Sequence, residues 1–226
     1  MTDAAPQAER VPETENPAEP TPKVAICFPS GDMVHADFAL SLAGMVNSTG
    51  GLETPIVSAK SSIVAQARNN GVDMARGFGA DYLLFLDSDM VFPRETLVRL
   101  LGHRRDIVGA TYVKRTPPHD LLGANLYLDR PPHPSGLIEM RHLPTGCLMI
   151  KMSVFDALTK PYFRFLYDEA SGEIIGEDYN FCDRARAAGF EIWCDPSLSF
   201  EIGHIGSQVC RLHMAPQAQG AATPAA

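Results

Sequence analysis

Short apolar runs alternate with stretches of helical spacing through the first half of the chain. Residues 23–28 form a run of strand length, stopped by Pro29-Ser30-Gly31. Residues 35–46 carry apolar side chains at helical spacing and end near Asn47 and Gly50-Gly51. Residues 55–59 read as a second short strand. Ser61 or Ser62 is placed to cap the helix that follows, which runs to about Arg76 and ends at Gly77 and Gly79. Residues 81–86 form a third strand. Pro93 starts a helix over 94–101, with Glu95 in its first turn, and 106–113 give a fourth strand. Strand, helix, strand, helix, strand, helix, strand predicts a parallel α/β sheet with right-handed crossovers.

From Lys114 the pattern changes. Pro117-Pro118, Pro131-Pro132 and Pro134 punctuate a loop-rich stretch with a candidate strand at 124–128. Strand-like segments follow at 137–143 and 147–152, separated by Pro144-Thr145-Gly146. A short helix is expected over 154–158, a loop of hairpin character over 163–175, a helix over 177–188 ended by Gly189, and a strand over 191–195. Gly203-His204-Ile205-Gly206 closes the patterned region. Residues 1–22 and 213–226 lack apolar periodicity, are rich in Pro, Ala and polar residues, and read as disordered segments around one domain, 23–212.

The 226 residues, 45% of them hydrophobic, allow a sizeable core. A formal net charge of -8 argues against general affinity for nucleic acid. No apolar run approaches the length of a membrane span, and no basic-then-apolar leader opens the chain, so a cytoplasmic protein is expected. Five cysteines without a Cys-x-x-Cys pair read as buried free thiols.

The candidate chemistry starts at the third strand. Its apolar run ends in Asp87-Ser88-Asp89, two carboxylates one residue apart. An ionised carboxylate has no place in an apolar core, so both should lie where the strand leaves it. In an open α/β sheet that edge is where ligands bind. Two carboxylates there offer hard oxygen ligands for Mg²⁺ or Mn²⁺. Taken singly, the other polar positions have plain explanations: Glu177-Asp178 as helix-dipole residues, Arg68 as a solvated face, Thr145-Gly146 as a turn.

Taken in order, they resemble the nucleotide-sugar-dependent glycosyltransferases of the GT-A fold. The closest likeness is to the family-two type and its small bacterial or phage-encoded versions. The matching segments are residues 63–69, 80–90, 146–150, 176–182 and 204–206, and the likeness spans about 23–212. It implies a mostly parallel, Rossmann-like sheet flanked by helices with a smaller mixed C-terminal part. Residues 23–113 would form the nucleotide-sugar half and 114–212 the acceptor half. It implies a nucleoside-diphosphate sugar donor, a glycan or other hydroxyl acceptor, and Mn²⁺ or Mg²⁺. Asp89 would ligate the metal; Asp87 would join it, reach it through water, or bind the ribose. His204 would be a further ligand. Arg68 would contact the nucleotide or diphosphate, Pro29 and Ser30 would border the nucleoside, Ser88 would lie between the two metal-side carboxylates, and Gly146 would admit the donor sugar. Asp178 matches the general base, with Glu177 beside it as the other candidate.

The second strand ends Val57-Ser58-Ala59-Lys60, without the acidic residue by which many members hold the base. Histidines 119 and 133 fall in 114–136, the region expected to form the acceptor side or a lid. Two other readings remain at this level: a catalytically silent nucleotide-sugar or glycan-binding protein on the same fold, and a nucleotidyltransferase. The latter ranks lower because no basic Gly-rich loop follows the first strand. A homo-oligomer is compatible with the sequence.

Overall fold

The structure is a computed structural model, and it describes residues 21–123 and 133–216. In chain order the strands and helices are β1 Val24–Ser30, α1 Ala36–Val46, β2 Ile56–Lys60, α2 Val64–Gly77, β3 Tyr82–Leu86, β4 Met90–Val91, α3 Thr96–Gly102, β5 Ile107–Gly109, β6 Ile138–Glu139, β7 Cys147–Lys151, α4 Met152–Asp156, β8 Leu166–Asp168, β9 Glu173–Ile175, α5 Glu177–Ala187, β10 Trp193–Cys194, α6 Pro196–Glu201, β11 Gly203–Ile205 and β12 Val209–Cys210. Seven strands form one sheet in the order β2-β1-β3-β7-β5-β10-β6.

Alternate residues of each central strand enter different apolar layers. Ala25, Cys27, Leu83, Phe85, Leu148 and Ile150 pack with Ala67, Val72 and Ala75 of α2 and with Phe181, Cys182 and Ala185 of α5. Val24, Ile26, Leu84, Leu86, Cys147 and Met149 pack on the opposite face with Phe38 and Met45 of α1, Leu97 and Leu100 of α3, and Leu198 of α6. Burial on both faces is why these strands read as unbroken apolar runs.

The sheet is mixed. β1 runs parallel to β2 and β3, and β5 parallel to β10. β7 lies between β3 and β5 antiparallel to both, and β6 is antiparallel to β10. An all-parallel reading of the first half therefore misses the strand that joins its two parallel blocks. That strand comes from residue 147 onward, beyond the patterned βα repeats.

Local boundaries shift for identifiable reasons. β1 continues through Pro29 and Ser30, because Pro29 pairs with Ala59 in register and Ser30 Oγ shares a hydrogen bond with Ser58 Oγ at 3.3 Å. Neither Ser61 nor Ser62 occupies the cap position of α2, which falls on Ile63; Ser61 Oγ accepts from the Ile63 N–H at 3.1 Å in a local turn. α3 begins two residues later than expected, after a turn closed by Thr96 N–H on the Pro93 carbonyl at 3.2 Å. The predicted strand 106–113 is regular only over Ile107–Gly109. The expected strand at 137–143 reduces to Ile138–Glu139, and α4 starts at Met152, inside the expected strand 147–152. The hairpin at 163–175 is present as β8 and β9, and α5 ends as expected, with Gly189 at a φ of 94° just beyond it. The candidate strand 124–128 lies outside the described residues.

All five cysteines are buried and free. No helix among the described residues is long and apolar enough to cross a membrane.

Candidate functional site

The site assembles at the carboxyl end of β3. The chain leaves the core at Asp87, and a turn closed by Met90 N–H on the Asp87 carbonyl at 3.1 Å carries Ser88 and Asp89 into β4. β4 pairs antiparallel with β11, placing His204 opposite Met90, and the Ile205 N–H donates to the Asp89 carbonyl at 2.7 Å. His204 therefore belongs to a strand, although glycines flank its segment. Gly203 is needed there: a Cβ would come within 2.4 Å of Val209 and 2.9 Å of Val91.

This ladder sets His204 Nε2 at 3.3 Å from Asp89 Oδ2. The other ring nitrogen, Nδ1, lies 2.9 Å from the Val113 carbonyl, which can only accept. Nδ1 thus carries a proton, and in neutral His204 the Nε2 lone pair faces a carboxylate oxygen. Either a proton on Nε2 or a bound cation relieves that opposition of two acceptors. Burial pulls His204 down, but the Asp89 and Val113 hydrogen bonds outweigh it and raise it above its ordinary value. Burial likewise raises Asp89, yet the hydrogen bond from His204 and the charges of His204 and Arg115 hold its carboxyl below the usual range.

Asp87 faces another partner. Arg68, on the second turn of α2, is 4% exposed and places Nη2 at 2.9 and 3.1 Å from the two Asp87 oxygens. Its Nη1 donates to Glu177 Oε1. So Arg68 fastens the end of β3 to the start of α5. Among the described residues no three His, Cys, Asp or Glu side chains converge as a metal-ligand group: Asp89 and His204 meet, and Asp87 is turned onto Arg68.

Gly146 closes the other side. Its carbonyl accepts from Asp87 N–H at 3.1 Å, and its own N–H donates to Tyr112 Oη at 3.0 Å. A Cβ there would stand 2.2 Å from that hydroxyl and 3.1 Å from Asp87 Oδ2. Tyr112 is buried, with its ring edge-on to His204 at 5.2 Å between centroids. Burial first, and then the charge of Asp87, push its phenol well above the ordinary value.

Glu177 and Asp178 begin α5 after Gly176, in the first turn as expected. Their environments differ. Glu177 is buried on Arg68. Asp178 is half-buried, and its Oδ1 accepts from the Tyr179 N–H at 2.8 Å. Burial raises the Asp178 pKa, opposed by the charge of Arg68.

Pro29 and Ser30 are buried at the end of β1. Since Cys27 pairs with Phe85, Pro29 stands level with Asp87, two residues further along each strand. Three buried side-chain atoms have no hydrogen-bond partner among the described residues: Arg68 Nε, Thr145 Oγ1 and Asn180 Oδ1. All three belong to the segments that build this site.

Tyr112 and Val113, inside the expected strand 106–113, and Arg115, just beyond it, were not among the expected site residues; the regular strand β5 ends at Gly109 and leaves all three in the segment that follows it. Arg115 donates from Nη1 to Asp89 Oδ2 at 2.7 Å. The only signal available was the change in character at Lys114. Of the two loop histidines, His119 turns Nδ1 onto the Lys114 carbonyl at 3.0 Å. His133 lies 2.8 Å from Arg105 Nη2 and edge-on to Trp193. A second polar cluster, Asp195 with Arg99 and His103, is explained by structure: Asp195 caps α6 through Leu198 N–H at 2.9 Å and is paired at 2.7 and 2.9 Å by Arg99.

No protein-family profile matches the chain, and no curated protein matches it. Among the solved structures that do, the crystal structure of A197 from STIV aligns with a TM-score of 0.56 and 20% sequence identity, over 81% of this chain and 86% of that one. The two chains share a fold: a mixed α/β architecture with one large sheet between helical layers.

Proposed function

We propose that the protein is a metal-dependent glycosyltransferase of the GT-A type, moving a sugar from a nucleoside-diphosphate sugar to a hydroxyl acceptor. The observation that carries this reading is the Asp89–His204 pair. Two residues 115 positions apart are brought together by the β4–β11 ladder, with Nδ1 of the histidine held by a backbone carbonyl. A carboxylate oxygen suits Mn²⁺ or Mg²⁺, and an imidazole oriented in this way beside it adds a nitrogen ligand that Mn²⁺ accepts more readily than Mg²⁺.

Asp89 and His204 would hold the cation, which when bound supplies positive charge against the departing nucleoside diphosphate. Asp87, engaged by Arg68, suits the ribose or a contact through water. Gly146 is closed over by Tyr112 and Asp87, so it shapes the wall of the site by letting those side chains reach the backbone, and the sugar must lie elsewhere along that edge. Asp178 is the base we assign, because Glu177 is committed to Arg68 and Asp178 is not. It takes the proton of the acceptor hydroxyl as that oxygen bonds to the anomeric carbon and the bond from that carbon to the diphosphate oxygen breaks. A carboxylate with a raised pKa is the better proton acceptor.

Mn²⁺ titration followed by electron paramagnetic resonance tests the metal assignment without relying on turnover. Asp89→Ala and His204→Ala should each weaken binding by at least about 10-fold, the scale on which groups that merely support a metal ligand act. Unchanged Mn²⁺ affinity in both variants would remove the site.

A further inference from the structure

The two arginines of the site stand in opposite settings. Arg68 is 4% exposed, with Nη1 on Glu177, Nη2 on both oxygens of Asp87, and Nε buried. Both terminal nitrogens of this guanidinium are committed to carboxylates, and its burial keeps the remaining N–H away from an anion arriving from solvent. Arg115 is 55% exposed, and its side chain makes one hydrogen bond to the described residues, Nη1 to Asp89 Oδ2 at 2.7 Å. Arginine carries five N–H donors in a planar fork that matches phosphate oxygens, so most of this fork is open to a ligand.

The backbone behind Arg115 is fixed. The Val113 carbonyl holds His204 Nδ1, and the Arg115 carbonyl accepts from Cys210 Sγ at 3.6 Å. Gly206 lies so close that a Cβ there would be 3.0 Å from both Cβ and the carbonyl oxygen of Arg115. One short segment thus orients the histidine of the Asp89–His204 pair and sets a solvent-open cation on the aspartate of that pair.

We infer that Arg115 is the side chain that receives the diphosphate of the donor, the part that resemblance assigns to Arg68, and that Arg68 acts as a positioning residue for Asp87 and Glu177. The inference rests on the nucleotide-sugar reading above. Arg115 meets the two phosphates next to Asp89 and His204, where its charge offsets the anion that departs.

Calorimetric titration of the full chain with UDP, GDP, UMP and GMP in saturating Mn²⁺ tests this, together with Mn²⁺ titration without nucleotide. Arg115→Gln should weaken the bound diphosphate by about 10-fold or more, the value of a hydrogen bond to a charged group, and change the monophosphate far less. Arg115→Lys should restore part of the loss, since the charge returns without the fork. Mn²⁺ affinity without nucleotide should hold or rise in Arg115→Gln, because a competing cation leaves Asp89. Undiminished diphosphate affinity, equal losses for mono- and diphosphates, or weakened Mn²⁺ binding would each overturn the role of Arg115 while the nucleotide-sugar reading stands. Wild-type protein that binds none of the four nucleotides would overturn that reading, and this inference with it.

Discussion

Asp178 titrates above an ordinary aspartate because burial penalises its charge more than Arg68 relieves it. As the proposed general base it must be deprotonated, so kcat/KM should fall as pH drops through that raised pKa. The acid limb of the profile should therefore lie above the usual aspartate range. Asp178→Asn should abolish transfer and leave donor binding largely intact, as read by calorimetry. Loss of donor binding in that variant would take the base role away. The same shift opposes folding at high pH: the native state holds the Asp178 proton more tightly than the unfolded chain, so this group's contribution favours the fold at low pH and is lost as pH rises through the folded pKa. Arg68 carries a different prediction. Arg68→Met strands the carboxylates of Asp87 and Glu177, and breaking a buried pair from one side costs about 3–5 kcal/mol. Urea unfolding should show a loss of that size, and a change under about 1 kcal/mol, typical of a surface ion pair, would contradict the buried linkage. In sequence the carboxylates were legible, because Asp-x-Asp after an apolar run has few placements. The partner of each was not. Nothing along the chain says that Asp87 turns to Arg68 while Asp89 turns to His204 and Arg115.

The elements that position the site are short and packed closely where they cross. Gly146, just before β7, touches Tyr112 beyond β5 and Asp87 beyond β3. Gly146→Ala would force a methyl group to 2.2 Å from the Tyr112 hydroxyl and should cost about 1–3 kcal/mol, the usual penalty for overpacking. Tyr112→Phe removes the nearest atom, so the double variant should lose less than the sum of the single ones. Additive losses in a double-mutant cycle would show that this contact is not what excludes a side chain. The same elements mark the limit of sequence reading. β1 and β3 were legible as buried apolar runs, β2 as a short strand between glycine and serine breaks, and α5 from its acidic first turn and terminal glycine. β4 and β11 have two and three residues, too few to show any periodicity. They exist because they pair with each other, and that pairing brings His204 to Asp89. The antiparallel place of β7 was equally hidden, since its residues look the same in either direction.

At the scale of the whole molecule, two faces of one sheet are filled by separate apolar layers, and all five thiols lie within them or at their edge. Burial pushes Cys27, Cys147 and Cys182 up to about 12. Native protein at pH 8 should leave its cysteines unmodified by a thiolate-directed reagent, and five should react after denaturation. Rapid labelling of the native chain would contradict the packing described. The layered plan was readable from alternating strand and helix patterns, whereas its mixed strand order depends on contacts between distant segments. The shared fold with A197 from STIV at 20% identity agrees with that plan and leaves the chemistry to be decided at the site.

Asp89 and His204 are proposed to hold the cation for transfer from a nucleotide sugar. The most direct test is a screen of UDP- and GDP-sugars with the wild-type chain and Asp89→Ala, with and without Mn²⁺, monitoring release of the nucleoside diphosphate. Mn²⁺-dependent release is expected from at least one sugar with the wild type, and none from that sugar with Asp89→Ala. Release that is equal in Asp89→Ala, or equal without a divalent cation, would contradict that proposal.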